Sequence, residues 1–100
     1  MPYAVEWDSA KDERNRKEKG VSFDEAKSAI VQEGPALFQQ QGEKGEIRYK
    51  ITARNDEGRL LTVVYTLRPE AIRIISAWPA SRQERREFTL VEASTHAGRT

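Results

Sequence analysis

Apolar and polar residues alternate most strictly over positions 47–54, where Ile47, Tyr49, Ile51 and Ala53 interleave with Arg48, Lys50, Thr52 and Arg54. A repeat of two is the mark of a strand with one face on a core. The segment therefore predicts a β-strand, apolar beneath and basic outward. Asn55-Asp56-Glu57-Gly58 reads as a turn. Positions 60–67 are apolar or threonine on both faces, as in a central strand. Arg68-Pro69-Glu70 turns again, and positions 72–78 form a third strand, with Ile72, Ile74 and Trp78 opposed to Arg73, Ile75 and Ala77, before Pro79 ends it. Short links between neighbouring strands favour an antiparallel meander.

The first half follows a different pattern. Positions 3–7 alternate weakly and predict a short edge strand. Asp8 suits an N-cap and Gly20 the residue after a helix end. Between them only Ala10 is apolar, so this helix has no apolar stripe with which to sit on a core, and it reads as a surface element or one that faces a partner. Asp12/Arg16 and Glu13/Lys17 support it at i, i+4 spacing. Ser22 and Glu25 make a capping box for a second helix with Phe23, Ala26, Ala29 and Ile30 at core spacing, stopped by Gly34-Pro35. Ala36-Leu37-Phe38 is a short apolar run, and 39–45 reads as a polar loop. Ser81 and Glu84 form another capping box, opening a last helix to about Leu90, with 91–100 as a frayed tail. The fold class expected is α+β: two N-terminal helices, an antiparallel β-meander and a C-terminal helix, in one domain over 1–90 followed by a flexible 91–100.

At 100 residues the chain is sized for one domain, and 37% hydrophobic against 33% charged residues still supports a core. Cysteine is absent and His96 is the only histidine, which excludes disulfides, thiolate metal sites and a Ser-His-Asp triad. No cofactor or metal is expected. No run approaches the ~20 apolar residues of a membrane span, and no signal peptide opens the chain, so a cytoplasmic protein is expected. The net charge of +1 hides an asymmetry: positions 1–45 carry seven Lys and Arg against nine Asp and Glu, whereas 46–90 carry nine against six. All but Lys50 of those nine are arginines, whose planar forks suit phosphate. Composition alone favours a solvated, ion-paired sheet face over a polyanion site.

The candidate chemistry follows from that asymmetry. Arg48, Lys50 and Arg54 share the outward face of one strand, Arg73 lies on another, and Arg82, Arg85 and Arg86 open the last helix. If that helix folds back along the sheet, they line one basic groove for RNA. Cleavage at a 2′-hydroxyl needs a base, an acid and cations for the phosphate charge. Tyr49, Tyr65, Glu46 and Lys50 are the available proton-transfer groups, although both tyrosines fall on core positions. Trp7 suits the core, while Trp78 could stack on a base.

Glu6-Trp7-Asp8, Lys11, Asn15, Gly20-Val21-Ser22-Phe23 and Ala26 resemble the opening of the BrnT family of bacterial toxins. So do Glu46, Arg48-Tyr49, Gly58-Arg59-Leu60-Leu61, Val63-Val64-Tyr65-Thr66, Arg73-Ile74-Ile75-Ser76-Ala77, Ala80 and Arg85-Arg86. The resemblance implies a RelE-like fold and a type II toxin–antitoxin toxin: a ribonuclease that stops translation and is held by a BrnA-type antitoxin. It carries over Arg48, Arg54, Arg73, Ser76 and Arg85 as matched polar positions. The catalytic set expected is Arg48, Arg54, Arg73, Ser76 and Tyr65, with Lys50, Arg82, Arg85, Arg86 and Trp78 binding RNA. DNA would be reached only through the antitoxin complex. The alternative is a module that binds antitoxin and RNA or ribosomes without cutting. The family commonly has Lys-His where this chain has Glu18-Lys19, and Arg-Arg where it has Trp78-Pro79.

Overall fold

The computed structural model describes residues 4–43 and 45–97. In chain order these form β1 (Ala4–Glu6), α1 (Ser9–Lys19), α2 (Phe23–Val31), β2 (Ala36–Glu43), β3 (Glu46–Arg54), β4 (Leu60–Arg68), β5 (Ala71–Pro79) and α3 (Arg82–Ala97). The strands make one sheet in the order β1-β5-β4-β3-β2. β2 to β5 form the expected antiparallel meander, and β1 adds to its far edge parallel to β5. Tyr3, the first residue of the expected edge strand, lies outside the described residues.

α1 and α2 cover one face of the sheet and α3 the other. On the first face Val21, Phe23, Ala26 and Ala29 pack on Ile51, Ala53, Leu61, Val63, Ile74 and Ala77, and Trp7 meets Phe23 edge-on at 6.2 Å. Trp7 is thus a core residue, as expected. On the second face a smaller cluster joins Leu60, Ala80 and Phe88. Both capping boxes form: Ser22 with Glu25, and Ser81 with Glu84, whose carboxylate accepts from the Ser81 amide at 2.8 Å.

Four readings of the sequence need correction. Positions 39–43 are strand rather than loop: Gln39, Gln40 and Gln41 pair with Lys50, Tyr49 and Arg48 at the sheet edge, where backbone bonds alone hold a strand that has little to bury. Positions 91–97 continue α3, and Glu92 reaches Arg54 at 3.2 Å, so that turn is anchored and not frayed. In β5 the register shifts by one residue: Val64 faces Ser76 but Tyr65 faces Ile74, which leaves Ile75 as a bulge. The bulge inverts the alternation beyond it. Ala77, not Trp78, shares the core with Ile74, and Trp78 turns toward α3.

The fourth correction concerns α1. It is seated on β5 by one polar residue, the buried Asn15. β1 ends at Glu6, opposite Arg73, so the backbone edge of β5 beyond that point has no strand partner. The Asn15 carboxamide fills the role. Its nitrogen donates to the Ala77 and Val21 carbonyls at 2.9 Å each, and its oxygen accepts from the Ala77 amide at 3.3 Å. Asn15→Ala should destabilise the protein by at least about 2 kcal/mol, because each buried group stripped of its partner costs about 1–3 kcal/mol. Urea unfolding measures this, and an unchanged midpoint would remove the amide from its role.

Candidate functional site

The outward face of β3 is not an open basic groove. α3 lies across it and supplies carboxylates. Lys50 pairs with Glu84 at 3.2 Å and Arg54 with Glu92 at 3.2 Å. At the other end of the strand Arg48 lies 3.7 Å from Glu46, and on β5 Arg73 meets Glu6 at 2.7 Å. The expected alternation of β3 holds where Ile51 is buried and Arg54 exposed, yet the Lys50 side chain keeps only 18% of its exposure. Arg48, Lys50, Arg54 and Arg73 are therefore paired with carboxylates of this chain, whereas the exposed Arg68 at the end of β4 makes no ion pair among the described residues.

Glu84 is the centre of that arrangement. It is buried, and it accepts from the Ser81 amide, the Thr62 hydroxyl, the Trp78 indole and the Lys50 ammonium at 2.8–3.2 Å. Burial raises its pKa, but these hydrogen bonds outweigh that effect and hold it below the ordinary glutamate value. Thr62 also bonds Thr52 across the strands at 2.9 Å. This polar layer pins the start of α3 to β3, β4 and β5.

The tyrosines lie apart from these cations. Tyr49 and Tyr65 stack at 5.6 Å on the sheet face opposite α3, beside Phe38, Gln39 and Gln40. Burial, and then the neighbouring Tyr49, raise the pKa of Tyr65, which makes it a poorer base at neutral pH. Arg82, Arg85 and Arg86 are exposed on α3 and make no ion pair among the described residues. The structure does not gather Arg48, Arg54, Arg73, Ser76 and Tyr65 into one constellation.

It gathers a different set. Between α1 and β5 lies a groove of about 310 Å3 lined by Lys11, Arg14, Asn15, Glu18 and Lys19 from the helix and Ile75 and Ser76 from the strand. The bulge at Ile75 and the Asn15 amide together shape its floor, and the Ser76 hydroxyl lies 3.5 Å from the Asn15 oxygen. Lys11, Arg14 and Lys19 make no ion pair among the described residues. The Lys19 ammonium stands 5.0 Å from the centre of the Trp78 ring. Of the expected site residues, Ser76 lies in this groove and Trp78 touches the lysine that lines it. Lys11, Arg14 and Lys19 were passed over because their helix reads as a solvated surface. Their signal was the recurrence of Lys11, Arg14, Asn15 and Glu18 at i, i+3, i+4 and i+7, which places them on one helical face.

Among the described residues no three of His, Cys, Asp and Glu cluster as a metal site, and no helix is long and apolar enough to cross a membrane. The structure is similar to the 1.1 Å crystal structure of the Brucella abortus ribonuclease toxin BrnT, at TM-score 0.58 and 18% identity, over 80% of this chain and 99% of that one, and shares its fold. The family model described as ribonuclease toxin, BrnT, of type II toxin–antitoxin system matches residues 7–84, and the chain belongs to that family. Among curated proteins none matches it.

Two outcomes follow from the pairing. Lys50→Met should cost about 1–3 kcal/mol, because it removes a donor from a buried carboxylate. Arg73→Ala, which removes a half-exposed pair, should cost at most about 1 kcal/mol. Thermal melts of the two variants test this order.

The carboxylates of Asp8, Glu25 and Glu84 are all held below their ordinary values. In Asp8 and Glu25 the leading cause is a backbone amide hydrogen bond, whereas in Glu84 several hydrogen bonds outweigh its burial. Depressed folded-state values give stability that is complete above the unfolded pKa and is lost as pH falls through the folded one. Urea midpoints should therefore be level near neutrality and fall in acid. Glu84→Gln should flatten the acid limb, and an unchanged limb would rule out its contribution.

Proposed function

We propose that this chain is a metal-independent endoribonuclease that inhibits translation in the cytoplasm, and that a BrnA-type antitoxin neutralises it. DNA contact comes only through the antitoxin complex. Membership of a type II toxin family implies both an RNA target and an antitoxin partner. The observation that carries the reading to a particular place is the groove between α1 and β5. Its cations have no carboxylate partner among the described residues, whereas Arg48, Lys50, Arg54 and Arg73 do.

RNA is held by its phosphates, so a free cation contributes more than one already neutralised. In this reading Lys11, Arg14 and Lys19 hold the strand and offset charge developing at the phosphate as the 2′-oxygen attacks it. Glu18 is the carboxylate within the same groove, and it takes the 2′-hydroxyl proton; as the 2′-oxygen bonds to phosphorus the P–O5′ bond breaks, and the departing 5′-oxygen takes a proton from water, leaving a 2′,3′-cyclic phosphate and a 5′-hydroxyl. Ser76 hydrogen-bonds a phosphate oxygen. Arg48, Arg54, Arg73 and Lys50 hold the fold on the far side of the groove. Arg82, Arg85 and Arg86 extend the RNA surface along α3. The second reading, a toxin-like module that binds antitoxin and RNA or ribosomes without cutting, gains from Trp78-Pro79 standing where the family commonly has two arginines.

Induced alone, the protein should slow growth and cut incorporation of labelled amino acid, and co-expressed antitoxin should restore both. Lys11→Ala combined with Arg14→Ala should abolish the effect with no more than a small shift in Tm, since both side chains are exposed. Purified protein should cut RNA in the presence of EDTA. Binding of RNA without cleavage would decide for the second reading, and normal growth at high soluble expression would reject the toxin.

A further inference from the structure

We infer that Lys19 is a phosphate contact of the groove and that Trp78 is the residue that positions it. The inference rests on the groove being the RNA site. An exposed lysine has a flexible four-carbon stem, and holding its ammonium in one place costs rotamer entropy. Lys19 is the last residue of α1, before the left-handed Gly20, and no carboxylate of the described residues pairs with it. Something else must place it, and the structure offers the face of Trp78, 5.0 Å away.

The ring is itself fixed. Its Nε1–H donates to Glu84 at 3.1 Å, and Glu84 is held by the Ser81 amide, Thr62 and Lys50. The bulge at Ile75 turns Trp78 away from the core and toward this carboxylate. Placement thus passes from the α3 cap through the indole to the ammonium at the mouth of the groove. A carboxylate partner would have placed Lys19 as well, but it would have cancelled the charge, as Glu84 does for Lys50. An aromatic face attracts a cation through its quadrupole and leaves the net charge intact. Lys19 is accordingly located yet still free to bind an anion.

The test is binding of a fluorescent single-stranded oligonucleotide made wholly of 2′-O-methyl RNA, which cannot be cut through its 2′-position, measured as a function of salt. Each phosphate contact to a single strand contributes about 0.7 to the slope of log affinity on log salt. Lys19→Met should lower the slope by about that amount. Trp78→Leu should weaken binding in the parent but leave affinity unchanged when Lys19 is already Met. Trp78→Phe, which keeps a ring, should bind closer to the parent, and melts of each variant confirm folding. An unchanged slope in Lys19→Met would overturn the phosphate contact. Equal weakening by Trp78→Leu in both backgrounds would overturn the positioning role, because independent sites add. The same comparison with Trp78→Met, which also removes the ring, decides the matter if Trp78→Leu does not fold. If the slope falls in Lys11→Ala with Arg14→Ala but not in Lys19→Met, the groove stands and this inference fails. No salt-dependent binding by the parent rejects the groove, and this inference with it.

Discussion

β1 is three residues long and β5 is nine, and the buried Asn15 amide resolves the difference. A buried strand edge must pair its amides and carbonyls. β5 outruns its parallel partner, and the chain completes the edge with a side chain instead of more strand. One carboxamide bonds both the amide and the carbonyl of Ala77 and reaches Val21 after the helix end. That places α1 against β5 and makes a groove where a longer β1 would have made continuous sheet. Polar surface is free to line the groove because α1 needs no apolar stripe to stay in place.

The opposite face follows a different logic. There α3 brings carboxylates to the strand cations, and the buried Glu84 gathers four donors from three strands and its own cap. Bringing a charge under a helix is costly unless its hydrogen bonds are met, and here they are. The result is a rigid layer whose net charge is small. A cation's usefulness to a polyanion depends on whether the fold has already spent its charge: Arg48, Lys50, Arg54 and Arg73 are paired, whereas Lys11, Arg14 and Lys19 make no ion pair among the described residues.

The sequence made part of this legible. The strand at 47–54, the turn at Asn55–Gly58 and the boxes at Ser22 and Ser81 rest on local rules of period and capping, and each formed where local rules place it, although Ile47 is exposed and Thr52 buried against the expected alternation. The failures share another cause. Gln39–Glu43 is strand because β3 offers it a backbone ladder, which no periodicity of its own records. The bulge at Ile75 is a property of two strands in register, so the pattern of β5 alone assigned Trp78 to the wrong face. Asn15 was hidden because apolar counting ignores an amide that is buried by being satisfied. Lys50 and Glu84 lie 34 positions apart, and their pairing exists only once α3 has folded back.

The groove, by contrast, divides into a floor that the fold requires and a rim that it does not. Its floor is set by backbone geometry, namely the bulge, the edge of β5 and the Asn15 amide, none of which depends on the side chains at 19 and 78. The rim can therefore change without loss of the fold. At that rim the Lys19 ammonium rests on the face of Trp78, and the indole is in turn held by Glu84. The position of this cation is thus tied to the cap of α3 as well as to the helix that carries it.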